Sequence, residues 1–372
     1  MRIKEPFTIF KKTLKTGKKV YYYQFRRKDG SRSCPYSTGQ SVKSKALNYV
    51  LELWKNGEFE KKESKRLLTF AKFSQGFFDE GSPFLEWKKL SGRVLAPETI
   101  DAYKKFLNNQ VLPYFAQYIL KDICVDDVKN WIIWMNTNWS KKTSNNAQSV
   151  FNIIMKSAKE KRLIDFVPSE NLAFRKVERK ERQLLTIDEI KAIYNGSWRN
   201  EYYKRAFLLL CITGMRIGEV IGLLSENVFD DRLNVCHTYS RDHGLGPTKT
   251  RVNRFVPIPK ELKLKQNCGS LWAFPRSDDK PILANEIYKQ FRKNCDNLGI
   301  ERELRGLTVH SLRNHFISYM RASRYGFSID LKIKAMVGHT DNTMTDWYTY
   351  WTPEMMSELY ELQKELFNLI VC

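Results

Sequence analysis

Two arginines, two histidines and a tyrosine follow one another along the second half of the chain, in an order suited to chemistry on a phosphate. Thr213-Gly214-Met215-Arg216-Ile217-Gly218-Glu219 closes an apolar run, and about ninety residues later comes His310-Ser311-Leu312-Arg313. Gly338-His339-Thr340 follows, with Tyr348 nine residues beyond His339. Two guanidiniums can hold the non-bridging oxygens of a phosphodiester and oppose the charge that grows on them. Two imidazoles can donate hydrogen bonds or move protons near neutral pH. A tyrosine hydroxyl can attack phosphorus and hold it covalently. The set predicts a phosphoryl-transfer site, although each piece alone is a weak signal.

This order and spacing resembles the tyrosine recombinases, the phage-type integrases and their relatives. The resemblance implies Arg216, Lys249, His310, Arg313, His339 and Tyr348 as catalytic residues. Lys249, in Thr248-Lys249-Thr250 ahead of Val256-Pro257-Ile258-Pro259, falls where that family places its general-acid lysine. A basic hairpin that only touches phosphates is the alternative reading of Lys249. Arg251 and Arg254 compete for its role or bind DNA beside it. Glu219 is placed to fix the Arg216 fork by ion pairing, or the pair is simple capping at a helix junction. Tyr350 is the rival nucleophile, and Trp347 and Trp351 flank the two tyrosines as packing residues. After Arg313 the chain has Asn314-His315-Phe316 where the family more often has His-Thr/Ser-Phe, so His315 is expected to be packed or to support the site.

The implied reaction is attack of Tyr348 on a DNA phosphate, a 3′-phosphotyrosyl link, a free 5′-hydroxyl, and reversal by a 5′-hydroxyl of a partner strand. The bond energy stays in the ester, so no cofactor, ATP or metal is expected. Exchange between two double-stranded DNA sites of attachment type implies a homo-tetramer on DNA, and the resemblance admits an accessory DNA-bending protein. Integration or excision of a phage or other mobile element is the function implied. Two other classes compete: a type IB topoisomerase, which shares the chemistry, and a non-catalytic DNA-binding regulator of the same fold.

Positioning these residues takes several elements. The expected fold is multidomain and mainly α, with a small β-sheet-plus-helix module in front, a helical core-binding domain, and a mixed α/β catalytic domain with a β-hairpin. Residues 1–63 form the basic front module: a β-rich run Val20–Arg27, a turn at Lys28-Asp29-Gly30-Ser31, a short strand at Ser33–Ser37, and a helix over Ser44–Asn56. Ala46, Leu47, Val50, Leu51 and Trp54 are predicted on one face of that helix. The module resembles the arm-type DNA-binding modules of integrases. Residues 64–173 read as helices over Leu68–Glu80, Pro97–Gln110, Val125–Met135 and Lys142–Glu160, similar to the core-binding domain, with Lys141, Lys142 and Thr143 as phosphate contacts. A charged linker at 174–183 separates these from the catalytic domain, 184–372, which opens at the capping box Thr186-Ile-Asp-Glu189. There, Val228–Val235 and Phe255–Pro259 read as strands around a Gly244–Thr250 turn. A final amphipathic helix after Pro353 places Met355, Leu359, Leu362, Leu366 and Leu369 on one face, to pack on its own domain or on a neighbouring subunit.

Composition agrees with a nucleic-acid partner. In 372 residues, 63 Lys+Arg oppose 41 Asp+Glu for a net charge of +22, while 42% hydrophobic residues are enough for folded cores. The longest apolar run, Ala206–Ile212, is far too short to span a bilayer, and the start carries no apolar signal core, so a cytoplasmic protein with no membrane partner is expected. Seven scattered cysteines without Cys-x-x-Cys predict reduced thiols, and Cys236, His237 and His243 fit no zinc spacing.

Overall fold

The computed structural model describes every residue except 1–5, 15, 27–31, 59–67, 179–182, 265–268, 277–279 and 339–355. The Lys28–Ser31 turn, His339, Trp347, Tyr348, Tyr350, Trp351, Pro353 and Met355 therefore lie outside the described residues. The chain divides into two compact units, Met1–Val177 and Glu178–Cys372. The fold is mainly α, with small antiparallel sheets. Among the described residues no helix is long and apolar enough to cross a membrane.

In the first unit, β1 (Phe7–Thr13), β2 (Lys19–Phe25) and β3 (Tyr36–Ser37) form one antiparallel sheet, with Phe7 opposite Phe25 and Thr13 opposite Lys19. The Val20–Phe25 run is β-branched and aromatic, the composition that a half-buried strand favours. Helix α1 (Lys43–Lys55) covers the sheet with Ala46, Val50 and Leu53, which repeat at helical spacing. The face predicted for it is rotated: Leu47 and Trp54 are exposed. The predicted helix over Leu68–Glu80 shrinks to α2 (Phe70–Ser74) and is followed by turns in which Gly76 takes a φ of 66°. Helix α3 (Pro83–Leu90) was not foreseen; Ser82 caps it and Pro83 starts it.

Next, α4 (Pro97–Phe106) passes through a π-helical stretch, Leu107–Val111, into α5 (Leu112–Phe115). Pro113 has no N–H to give the α-helical ladder, a local cause for the wider turn. Trp131, on α6 (Val125–Asn138), is fully buried and donates its indole N–H to the Gln110 carbonyl at 2.9 Å. Helix α7 (Lys141–Glu160) is capped by Ser140, whose hydroxyl accepts from the Thr143 amide at 3.2 Å. Phe151 of α7 packs its ring 4.8 Å from Phe115 and 5.3 Å from Trp131, so the core of this unit is an aromatic stack. Asn145 clips the start of the charged linker, accepting from the Arg175 amide at 3.1 Å and donating to its carbonyl at 2.9 Å.

The second unit opens at α8 (Ile187–Tyr194), where Thr186 and Glu189 exchange capping hydrogen bonds of 3.1 and 2.8 Å. Helix α9 (Glu201–Thr213) is buried along most of its length, and α10 (Ile217–Ile221) follows. The strand expected over Val228–Val235 is only β4 (Arg232–Val235), paired with β7 (Arg254–Pro257). The intervening stretch is not one turn. It holds a second hairpin, β5 (His237–Ser240) with β6 (Gly244–Pro247), closed at residues 241–243. Helices α11 (Ala284–Asn297), α12 (Val309–Arg321), α13 (Asp330–Val337) and α14 (Ser357–Val371) complete the unit. The terminal helix α14 packs on α8 and α9 of its own unit, burying Leu359, Leu362 and Leu366 and leaving Leu369 exposed. Gln363, on that buried face, donates its amide to the Ile212 carbonyl at 3.0 Å and the Pro257 carbonyl at 2.8 Å.

Candidate active site

Helix α9 delivers the first arginine. Its apolar run ends at Gly214, which takes a left-handed φ of 63°, and a Cβ there would stand 2.6 Å from the Phe316 ring. Only glycine suits both the conformation and the space. The chain then turns into α10 with Arg216 at the N-cap position. Glu219 accepts from the Arg216 amide at 2.9 Å and from its guanidinium Nη1 at 2.8 Å. The other end of that guanidinium, Nη2, donates to the Gly338 carbonyl at 3.2 Å. Arg216 is thus fixed at both ends while its side chain stays 25% exposed.

Glu219 is 1% exposed and serves a second arginine. Arg254 Nη2 reaches Glu219 Oε2 at 2.6 Å and Nη1 reaches Oε1 at 3.3 Å, a two-pronged pairing. Burial raises the Glu219 pKa, but Arg254 and then Arg216 outweigh it and hold the carboxyl below the usual glutamate range. Arg254 also donates from Nε to the Met336 carbonyl at 2.7 Å. Where a DNA contact was expected at Arg254, the structure places a guanidinium only 7% exposed, with Nε, Nη1 and Nη2 each hydrogen-bonded inside the unit.

Arg313 comes from α12, where the Thr308 and Ser311 exchange caps the helix start. It is 3% exposed, and Nη1 donates to the Gly214 carbonyl at 2.8 Å. Its Nη2 is buried with no hydrogen-bond partner among the described residues. Burial, and then the like charge of Arg216, bring this guanidinium down to about 10. His310, one helical turn earlier, is exposed. His315 is buried, stacks on Tyr319 at 6.2 Å between centroids, and has its pKa lowered by that burial.

Lys249 is exposed in the turn between β6 and β7, and Arg251 lies exposed beside it with a φ of 56°. The Arg251 amide closes the turn on the Thr248 carbonyl at 2.9 Å. Lys249 makes no hydrogen bond to the arginine cluster among the described residues. Lys141, Lys142 and Thr143 occupy the first turn of α7 in the other unit, the two lysines exposed. The structure thus brings together Arg216, Glu219, Arg254 and Arg313. Arg216 and Arg254 pair with the Glu219 carboxylate, and Arg313 lies within their field with one buried donor that has no partner among the described residues.

Residues 183–355 match the phage integrase family, and residues 83–135 match the phage integrase N-terminal SAM-like domain. The chain belongs to the tyrosine recombinase family. Enzymes of this family break and rejoin DNA. Tyrosine recombinase XerD of Halalkalibacterium halodurans is 25% identical over 217 residues, which span 54% of this chain and 67% of that one. Tyrosine recombinase XerD of Staphylococcus aureus is 26% identical over 200 residues, 50% of this chain and 63% of its own length. Among solved structures, a lambda integrase tetramer bound to a Holliday junction aligns with a TM-score of 0.58 at 16% identity, covering 90% of this chain and 96% of that one. The Tn1549 transposon integrase in complex with transposon right end DNA aligns with a TM-score of 0.57 at 17% identity, covering 80% and 99%. At such identities these structures speak for the fold.

Within the recombinase fold, three backbone groups are site components that residue types did not reveal: the carbonyls of Gly214, Met336 and Gly338. Two of them belong to glycines in left-handed geometry, which ends a helix and turns its last carbonyls outward. The glycines after Thr213 and Val337 were the available signal.

Proposed function

We propose that this chain is a site-specific tyrosine recombinase that integrates or excises a mobile element through a 3′-phosphotyrosyl intermediate. The carrying observation is Arg313: a guanidinium 3% exposed, beside Arg216, with Nη2 buried and unpartnered among the described residues. An unpartnered buried donor is costly, and a phosphodiester oxygen would satisfy it. In this reading Tyr348 attacks phosphorus, the bond to the 5′ oxygen breaks, and Lys249 supplies the proton that oxygen takes up. Arg216 and Arg313 hold the charge on the non-bridging oxygens. His310 and His339 accept the tyrosine proton and orient the phosphate. A 5′-hydroxyl of the partner strand then attacks the phosphotyrosine and releases Tyr348.

The substrate is double-stranded DNA with attachment-type sites, gripped by four protomers during exchange and aided by a DNA-bending protein where the sites require it; such a substrate places the enzyme in the cytoplasm. Residues 1–63 read arm sites. Residues 64–173, joined by the 174–183 linker to the catalytic domain at 184–372, hold the core site through Lys141, Lys142 and Thr143, with Arg251 touching phosphate beside Lys249.

A nicked duplex from the element's own junction tests the chemistry, with a denaturing gel and peptide mapping of the trapped adduct. The expected result is a covalent adduct on Tyr348. An adduct on Tyr350 moves the nucleophile by two residues, and tight binding without any adduct overturns the reaction.

A further inference from the structure

The arginine clamp, the lysine turn and the segment holding His339 and Tyr348 come from widely separated stretches of chain. Arg254 joins the first, stands at the root of the second and grips the helix end that precedes the third in sequence. It stands on β7, five residues after Lys249, at one root of the turn that carries that lysine. Through Nη1 and Nη2 it grips Glu219, the carboxylate that fixes Arg216. Through Nε it grips the Met336 carbonyl in the last turn of α13. Gly338, which ends α13 with a left-handed φ of 67° and directly precedes His339, is closely overlaid: a Cβ there would lie 3.1 Å from the Arg254 guanidinium.

We propose that Arg254 is a positioning residue, a buried latch that sets Arg216, through Glu219, against the end of α13 from which the His339–Tyr348 segment departs. The proposal rests on the recombinase reading above. Stability alone gives little reason for this arrangement. A buried ion pair is often matched or bettered by apolar residues of like volume, and Glu219 already has Arg216 as a partner. Geometry gives the reason. A planar guanidinium presents two donors to a carboxylate and a third to a carbonyl on another face, whereas a lysine ammonium is a point charge that cannot span both in fixed geometry.

The competing account is that Arg254 only neutralises Glu219. Single-turnover adduct formation on the nicked duplex separates the two, with DNA affinity and thermal unfolding measured alongside. Arg254→Lys and Arg254→Gln are expected to slow adduct formation roughly 100-fold, the loss seen for one oriented donor, with DNA affinity within about threefold of the parent. Arg254→Gln in a Glu219→Gln background removes the two charges of that buried pair together, and thermal unfolding checks that the variant is folded. The latch still predicts at least a further tenfold or so loss in that background, because the Met336 contact is gone. Equal rates for Glu219→Gln and the double variant would overturn the latch.

A duplex with sulfur in place of the 5′ bridging oxygen adds a second readout, since a thiolate leaves without a proton. Lys249→Ala is expected to recover on it and Arg254→Lys to remain slow. Full recovery of Arg254→Lys would show that the arginine acts through the lysine turn and would sink its link to Arg216. If the parent protein forms no adduct, the recombinase reading falls and takes the latch with it; a reactive parent matched by both Arg254 variants removes the latch alone.

Discussion

The two units differ in what they bury. Among the described residues of Met1–Val177 the buried polar side chains are serines, a threonine and two glutamines, and the helical core is the stack of Phe70, Phe115, Trp131 and Phe151. Among those of Glu178–Cys372, Glu219, Arg254 and Arg313 are all buried. Taking a charge out of water is tolerated when it is paired and hydrogen-bonded, and is unfavourable otherwise. The second unit therefore holds an unfavourable cluster in place with a large aliphatic core around it, while the first optimises packing alone. One unit is built for rigidity, the other for a local field.

That contrast can be broken from either side. The largest effect on folding is expected in the aromatic stack. Trp131→Ala removes a fully buried indole and its bond to Gln110, and should lower stability by about 3–5 kcal/mol in urea unfolding. A loss under about 1 kcal/mol would mean that this core is not close-packed. In the other unit, Arg313→Met should show the opposite pattern. Adduct formation falls roughly 100- to 1000-fold, while the melting temperature holds or rises because a buried, half-partnered charge has gone. A marked drop in melting temperature would show that Arg313 is structural.

Next in size is an acid limb. The folded Glu219 carboxyl lies below its ordinary value, so its contribution to stability is complete above about pH 4.3, the unfolded glutamate value. It is lost as pH falls from there through the lower folded value. Urea midpoints measured down the acid range should lose part of this slope in Glu219→Gln, and an unchanged slope would place the acid sensitivity elsewhere. The smallest effect belongs to the exposed first turn of α7. Lys142→Ala should weaken binding evenly across DNA sequences and reduce the salt slope by about one, with folding unaltered. An unchanged slope would remove Lys142 from the interface.

Sequence showed what local chemistry determines. The Thr186–Glu189 exchange and the Arg216–Glu219 pairing each span three residues, and both appear at the helix starts where that spacing puts them. Arg254 was illegible because its partners lie 35 and 82 residues away, so its exposed-looking place on a basic hairpin concealed a buried side chain. Strand β1 was missed because Lys11, Lys12 and Thr13 carry no apolar alternation; their pairing to Tyr21, Val20 and Lys19 supplies the strand. In β6, Gly244, Gly246 and Pro247 read as a turn, yet at a short two-stranded edge they remain compatible with pairing to β5. The rotated face of α1 had the same origin: Leu47 and Trp54 are apolar, but Ala46, Val50 and Leu53 match the sheet beneath.

Gln363 carries a consequence for how the protein is made. Its amide joins the end of α9 to the end of β7, partners 151 and 106 residues earlier in the chain. Chains grow from the amino terminus, so both elements emerge well before the helix that ties them together. A nascent chain that has emerged through β7 already carries the exposed lysines of α7 and the basic front module. It lacks Arg313 and the amide that bridges α9 to β7. On the proposed function, the groups assigned to binding are thus complete in synthesis before the groups assigned to cutting.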